Sequence, residues 1–201
     1  MKIIIMVEGA TEGVFIPHLR EYLKMKMEAR MPKLVPRKYN GRIPKEKRLR
    51  TDVANYLSGK DAADYVIALT DVYTGGNPHD FKNAEDAKSQ MKKWVNNEPR
   101  FFPHAAQYEF EAWLLPYWDS IQKLTAHNMK CPRNNPEAVN HDKPPSHWLR
   151  EIFIKGSRRH YVKSRDAAAI LRGKDLQIAV DVCTELKALV DTIVSLCERE
   201  C

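Results

Sequence analysis

Acids stand at the ends of three apolar runs in this chain. Glu8 follows Ile3–Val7, Asp71 follows Tyr65–Thr70, and Glu109 with Glu111 follows Arg100–Gln107. A short apolar run ended by a turn signal suits a strand buried on both faces of an α/β sheet. Sheets of that kind bind ligands at the carboxyl ends of their strands. If the strands are parallel neighbours, the acids converge on one edge although they are distant in sequence. Converging carboxylates are what Mg²⁺ or Mn²⁺ takes, usually one or two per ion with several waters. Such an ion can polarise a phosphoryl oxygen, activate water and offset charge in an in-line displacement.

Each acid also has a plain structural role open to it. Glu12 opens a helix, where the macrodipole favours a carboxylate whether or not it binds anything else. Asp71 precedes a glycine-rich stretch and suits a turn. Glu8, before Gly9, suits a polar strand terminus. Glu109 and Glu111 lie two apart, so on a strand they share a face and on a helix they diverge. In the second case only one reaches the site, and Glu109 is the preferred one.

Certain elements are needed to position these acids. Thr11 is expected to cap a helix running to about Arg30, with Val14, Phe15, Leu19, Tyr22 and Leu23 at helical spacing. Pro17 is expected to kink it or delay its start. Pro32 and Pro36 flank Lys33–Val35, an extended piece suited to an edge strand. Lys45–Leu57 and Ala84–Val95 read as helices, with a loop at Gly75-Gly76-Asn77-Pro78. This alternation predicts an α/β core over residues 1–116, a mostly parallel sheet with helices on both faces. Beyond Pro116, residues 117–147 are polar, rich in proline and weakly periodic. Helical patterns return at Asp166–Leu171 and Leu176–Leu196, so 117–201 reads as an irregular segment plus a helical C-terminal extension packed on the core. The apolar residues of that last stretch spread widely around the axis, which suggests burial on more than one side and leaves an oligomer possible.

With 201 residues and 29% of them charged, the chain suits one medium soluble domain. The net charge of +7 permits a polyanionic partner. Arg37, Lys38, Arg42, Lys45, Lys47, Arg48 and Arg50 fall in one segment opposed only by Glu46. They form either a solvated face or a strip that contacts phosphates. Cys131, Cys183, Cys197 and Cys201 lack metal-ligand spacing. No run approaches the ~20 apolar residues of a membrane span, and Ile3–Val7 is too short for a signal peptide, so a cytoplasmic setting without membrane contact is expected. No phosphate-loop or zinc-protease motif appears.

Val7-Glu8-Gly9-Ala10-Thr11-Glu12 resembles the glutamate motif that opens Toprim domains, the metal-binding fold shared by topoisomerases, primases and overcoming-lysogenization-defect nucleases. Thr70-Asp71-Val72-Tyr73 stands where those domains carry Asp-x-Asp. More closely, the chain resembles a small Toprim-like family with E-G-x-T-E, D-x-Y and E-F-E-A-x-L-F motifs, here Glu8–Glu12, Asp71–Tyr73 and Glu109–Leu115. Later elements of that family are matched by Pro136–Asn140, Pro144-Pro145-Ser146 and Tyr161-Val162-Lys163. The resemblance implies a Toprim-like, Rossmann-like fold and a Mg²⁺- or Mn²⁺-dependent nuclease of DNA or RNA. It also implies an anti-phage role and an ABC- or SMC-like ATPase partner encoded nearby.

Under this resemblance Glu8 is a metal ligand or general base, and Glu12, Asp71, Glu109 and Glu111 are metal ligands. Lys163 approaches the scissile phosphate; read from the residues alone, it belongs to a solvated basic face with Lys155, Arg158, Arg159, His160 and Arg165. Arg37, Lys38, Arg42, Lys45, Arg48 and Arg50 would hold the nucleic-acid backbone. Tyr73 replaces the second aspartate and is assigned to packing or substrate positioning. The lost ligand leaves a second reading open, a non-catalytic subunit that docks on and regulates an ATPase. A third is phosphoryl chemistry on a small nucleotide.

Overall fold

The computed structural model describes residues 1–27, 31–73, 80–139 and 143–199. Strands β1 (Lys2–Val7), β2 (Lys33–Lys38), β3 (Tyr65–Asp71) and β4 (Phe101–Ala106) form a parallel sheet in the order β2-β1-β3-β4. Helices α1 (Ala10–Lys26), α2 (Glu46–Tyr56) and α3 (Ala84–Trp94) make the crossovers. Ile3, Ile5 and Val7 face one layer and Ile4 and Met6 the other, so β1 is apolar without alternation. Helices α2 and α3 cover one face, and α1 with the C-terminal helices covers the other. The α/β sheet flanked on both sides is the architecture expected from the sequence.

The chain leaves β1 for β2 on one side and then crosses over to β3 on the other. The direction of winding therefore changes between β1 and β3, where an open parallel sheet leaves a crevice at its carboxyl edge. Val7 lies opposite both Lys38 and Leu69, and Asp71 lies opposite Ala106. Glu8 and Asp71 thus emerge side by side.

After β4 come a 3₁₀ segment (Phe110–Tyr117), α4 (Trp118–Thr125), a short 3₁₀ turn (Pro136–Ala138), α5 (Pro145–Ser157), α6 (Lys163–Leu171), α7 (Gln177–Val182) and α8 (Thr184–Glu198). Their buried residues merge with those of β1 and α1 into one cluster, from Ile3 to Cys197. Glu137 fastens this layer: its carboxylate accepts from Trp113 Nε1 at 3.1 Å and from the Glu185 amide at the start of α8 at 3.1 Å.

The details differ from expectation in several places. Gly9, not Thr11, caps α1, and the helix runs through Pro17 to Lys26. Residues 117–147 are not irregular throughout, because Trp118, Ile121 and Thr125 bury one face of α4. Helix α5 is an addition to the expected elements; Leu149, Ile152 and Phe153 supply its apolar face. The stretch Leu176–Leu196 is two helices, broken where Cys183 turns extended. The expected loop at Gly75–Pro78 and the motif residue Asn140 lie outside the described residues. Among the described residues no helix is long and apolar enough to cross a membrane.

Candidate active site

The carboxyl edge of the sheet opens into a cavity of about 320 Å³ lined by Glu8, Glu12, Asp71, Glu111 and Lys163, with Gly9, Gly41 and the first residues of α6. Glu8 is 7% exposed and accepts a short hydrogen bond from Thr70 Oγ1, which ties the end of β1 to β3. Glu12 folds back so that its Oε2 accepts the Gly9 amide at 3.1 Å, capping its own helix. Asp71 Oδ1 accepts from the Phe110 amide at 2.8 Å. That bond fixes the start of the 3₁₀ segment and brings Glu111 into the cavity wall. Phe15, Phe110 and Trp113 meet ring to ring at 5.4–5.7 Å, locking α1 to the same segment.

The structure therefore brings Glu111 to the cluster and gives Glu109 other work. Glu109 Oε2 accepts the Ser146 amide at 3.0 Å, so this acid caps the start of α5 and does not line the cavity. The sequence preference for Glu109 as the site acid is corrected on that ground. The 3₁₀ turn after Glu109 sends the two side chains apart, as a helical reading of the pair requires.

Lys163 reaches over from the first turn of α6, its Nζ 3.0 Å from Glu111 Oε1. Glu111 is wholly buried, and among the described residues neither of its oxygens has a well-directed hydrogen bond.

The structure spreads the basic segment over a strand end, a turn and a helix. Arg37 and Lys38 are exposed at the carboxyl end of β2. Lys38 lies across Gly13 so closely that a Cβ there would fall 2.6 Å from its Nζ, which places its charge beside Glu12. Arg42 and Lys45 instead hold Asp80 at 3.4 and 2.5 Å. Arg50 donates from Nε to the Trp94 carbonyl at 2.9 Å, spanning α2 and the end of α3. Arg48 is exposed on α2. Tyr73 is outside the cavity lining; its ring stacks on Tyr108 at 4.9 Å, on the α2–α3 side of the sheet.

A family model, DUF4276, described as a domain of unknown function, matches residues 7–194. The chain belongs to the DUF4276 family. No curated protein matches it. The C-terminal region of the Burkholderia pseudomallei OLD protein is similar, with a TM-score of 0.49 and 15% identity over 96% of this chain and 97% of that one. The C-terminal region of the Xanthomonas campestris pv. campestris OLD protein gives 0.48 and 16%, over 98% of this chain and 94% of that one.

Electrostatics in the DUF4276 site follow from four acids sharing a largely buried corner. Burial, reinforced by the Glu12 charge, raises the Glu8 carboxyl to about 7 against the pull of Thr70 and the Asp71 and Ile43 amides. Asp71 is pushed well above the carboxylate range by burial and by Glu8, Glu111 and Glu12. Burial also raises Glu12 and Glu111, with Lys163 opposing. Burial works to lower the Lys163 ammonium, but Glu111 and Asp71 outweigh it and raise it.

The carboxylates exceed the nearby positive charge, and all their donor atoms are hard oxygens suited to Mg²⁺ or Mn²⁺. Among the described residues no three such side chains form a preformed metal cage. The fit is that of an ion held by one or two carboxylates, with water completing its shell. Asp71, Glu8 and Glu111, the last with a buried Oε2 that has no hydrogen-bond partner among the described residues, are the groups that could hold one.

Three contributors carried no assigned role in the sequence reading. The signal available for Thr70 is a polar residue near the end of an otherwise apolar strand. Tyr161 packs its ring on Phe153 at 5.4 Å and buries its hydroxyl near Glu111 and Asp166. Asp166, 2% exposed, takes Arg159 at 2.8 and 3.0 Å, Arg165 at 2.9 Å and the Val162 amide at 2.7 Å. It thereby fixes the first turn of α6, which carries Lys163. An acid in the first turn of a helix is a signal for Asp166, but its arginine partners become visible only in three dimensions.

Proposed function

We propose that this DUF4276 protein is a metal-dependent phosphodiesterase acting on nucleic acid. The observation that carries the reading is the meeting of Glu8, Glu12, Asp71 and Glu111 with Lys163 at the β1/β3 switch point. A bound Mg²⁺ or Mn²⁺ would supply Lewis acidity at a phosphoryl oxygen and lower the pKa of a water.

The chain's own groups provide the rest. Asp71 and Glu111, with Glu8 beside them, would hold the cation, and Asp71 also fixes the backbone that carries Glu111. Glu8, fixed by Thr70 at the cavity wall, is placed either as a further ligand of that ion or to take a proton from water. Lys163 offsets the negative charge that develops on the phosphate. Lys38, whose charge lies beside Glu12, and the neighbouring exposed Arg37 at the end of β2 would hold the flanking backbone and give affinity without sequence readout. An ATPase partner and an anti-phage setting come with the Toprim-like resemblance alone.

One observation favours a second reading, a docking subunit that regulates an ATPase: Tyr73, in place of an aspartate, is taken up in stacking on Tyr108. The deciding experiment incubates single- and double-stranded DNA and RNA with the protein and excess Mn²⁺, using Asp71→Asn as control. Cleavage that disappears in the variant supports the nuclease. Metal uptake without cleavage of any polymer supports the docking subunit.

A further inference from the structure

The ammonium of Lys163 sits against the most deeply buried carboxylate of the cluster. Its Nζ is 3.0 Å from a carboxylate that is 0% exposed, while half of the Lys163 side chain remains in solvent. The two partners differ in freedom. Glu111 is held by a 3₁₀ segment that Asp71 pins at Phe110 and that Trp113 anchors against Phe15. Lys163 is the first residue of its helix, beside Val162 and Ser164 at the cavity wall, and a four-carbon stem can swing without disturbing the fold. A divalent ion on Glu111 and an ammonium on the same carboxylate would stand a few ångströms apart with little water between them, where like charges repel strongly.

We propose that Lys163 is the resident counter-ion of the metal-free acid cluster, and that a divalent ion displaces its ammonium from Glu111 toward the cavity mouth. This inference rests on the metal reading above. Its consequence is an order of events. In the metal-free site Lys163 is engaged by Glu111 and withheld from a phosphate, and metal entry would both fill the acid cluster and release Lys163 for the substrate. The catalytic lysine then becomes available only in the loaded state.

The test is amine acetylation of the full-length protein read by mass spectrometry, with Mg²⁺ uptake followed in parallel by calorimetry. Lys155, which is similarly exposed and paired with Glu151, serves as the internal reference. Saturating Mg²⁺ is expected to raise labelling of Lys163 relative to Lys155 severalfold, because an ammonium freed from a wholly buried carboxylate is more reachable than a paired one. The rise should be absent in Glu8→Ala. Lys163→Met should bind Mn²⁺ more tightly than wild type, having lost its competitor. Mg²⁺ uptake with unchanged or reduced Lys163 labelling overturns the exchange and leaves the metal reading standing. Absence of any Mg²⁺ uptake by the folded protein is the separate failure of the metal reading itself.

Discussion

Replacing Glu8 with glutamine should stabilise the metal-free protein while removing its metal. Glu8 is 7% exposed, and its carboxyl is raised from 4.5 to about 7, first by burial and then by Glu12. The folded state therefore binds a proton more tightly than the unfolded chain does. Stability from this group is present at low pH and lost as pH rises between 4.5 and 7. At about 1.4 kcal/mol per pKa unit, the penalty above pH 7 is about 3 kcal/mol. Glutamine keeps the acceptor for Thr70 but turns an amide toward the backbone N–H groups of Asp71 and Ile43, costing about 1 kcal/mol. The net gain at pH 8 is about 2 kcal/mol, which for a chain of this size raises Tm by roughly 4–8 °C. Urea unfolding in EDTA at pH 5 and pH 8, followed by tryptophan fluorescence, reads it directly. Glu8→Gln should exceed wild type at pH 8 and lose that advantage at pH 5. Adding Mn²⁺ should stabilise only the wild type, by binding linkage. A variant no more stable than wild type at pH 8, or a difference independent of pH, would refute the reasoning.

Asp166→Asn should cost about 2 kcal/mol at pH 7: burial opposes the charge, yet Arg159, Arg165 and the Val162 amide hold this carboxyl near 2, below its ordinary 3.8. That stability is present above pH 4 and lost as pH falls toward 2, so the gap between variant and wild type should close in an acid titration followed by circular dichroism. Glu137→Ala should destabilise by about 1–2 kcal/mol, as loss of a helix cap does, and chemical denaturation should show it with metal binding unchanged. If the polymer backbone is held beside the cavity mouth, Arg37→Ala and Lys38→Ala should each reduce the salt dependence of nucleic-acid binding by about one ion. Arg50→Ala, whose guanidinium already serves the Trp94 carbonyl, should leave that slope unchanged in fluorescence anisotropy.

The sheet and its working edge were legible because buried parallel strands leave an unmistakable trace. Ile3–Val7 and Tyr65–Thr70 are apolar without alternation, and the acid after each falls at the switch point by topology alone. The choice between Glu109 and Glu111 was not legible. It depends on a backbone bond from Phe110 to Asp71 and on the amide of Ser146, both made by residues 37 to 39 positions away. The layout of the basic segment was not legible either: seven cations close in sequence are separated by a strand end, a turn and a helix, and Asp80 and the Trp94 carbonyl take three of them. Helix α4 was hidden because Trp118, Ile121 and Thr125 make a narrow stripe among polar neighbours.

The central claim is that acids from separate strand ends form one cation site, and Mn²⁺ titration by calorimetry tests it most directly. Wild type, Glu8→Ala, Asp71→Ala and the distant Arg50→Ala would be compared, each checked for folding by circular dichroism. The account predicts binding in wild type and Arg50→Ala, and its loss in both acid variants. Failure of the folded wild type to bind, or binding that survives in both acid variants, would contradict it.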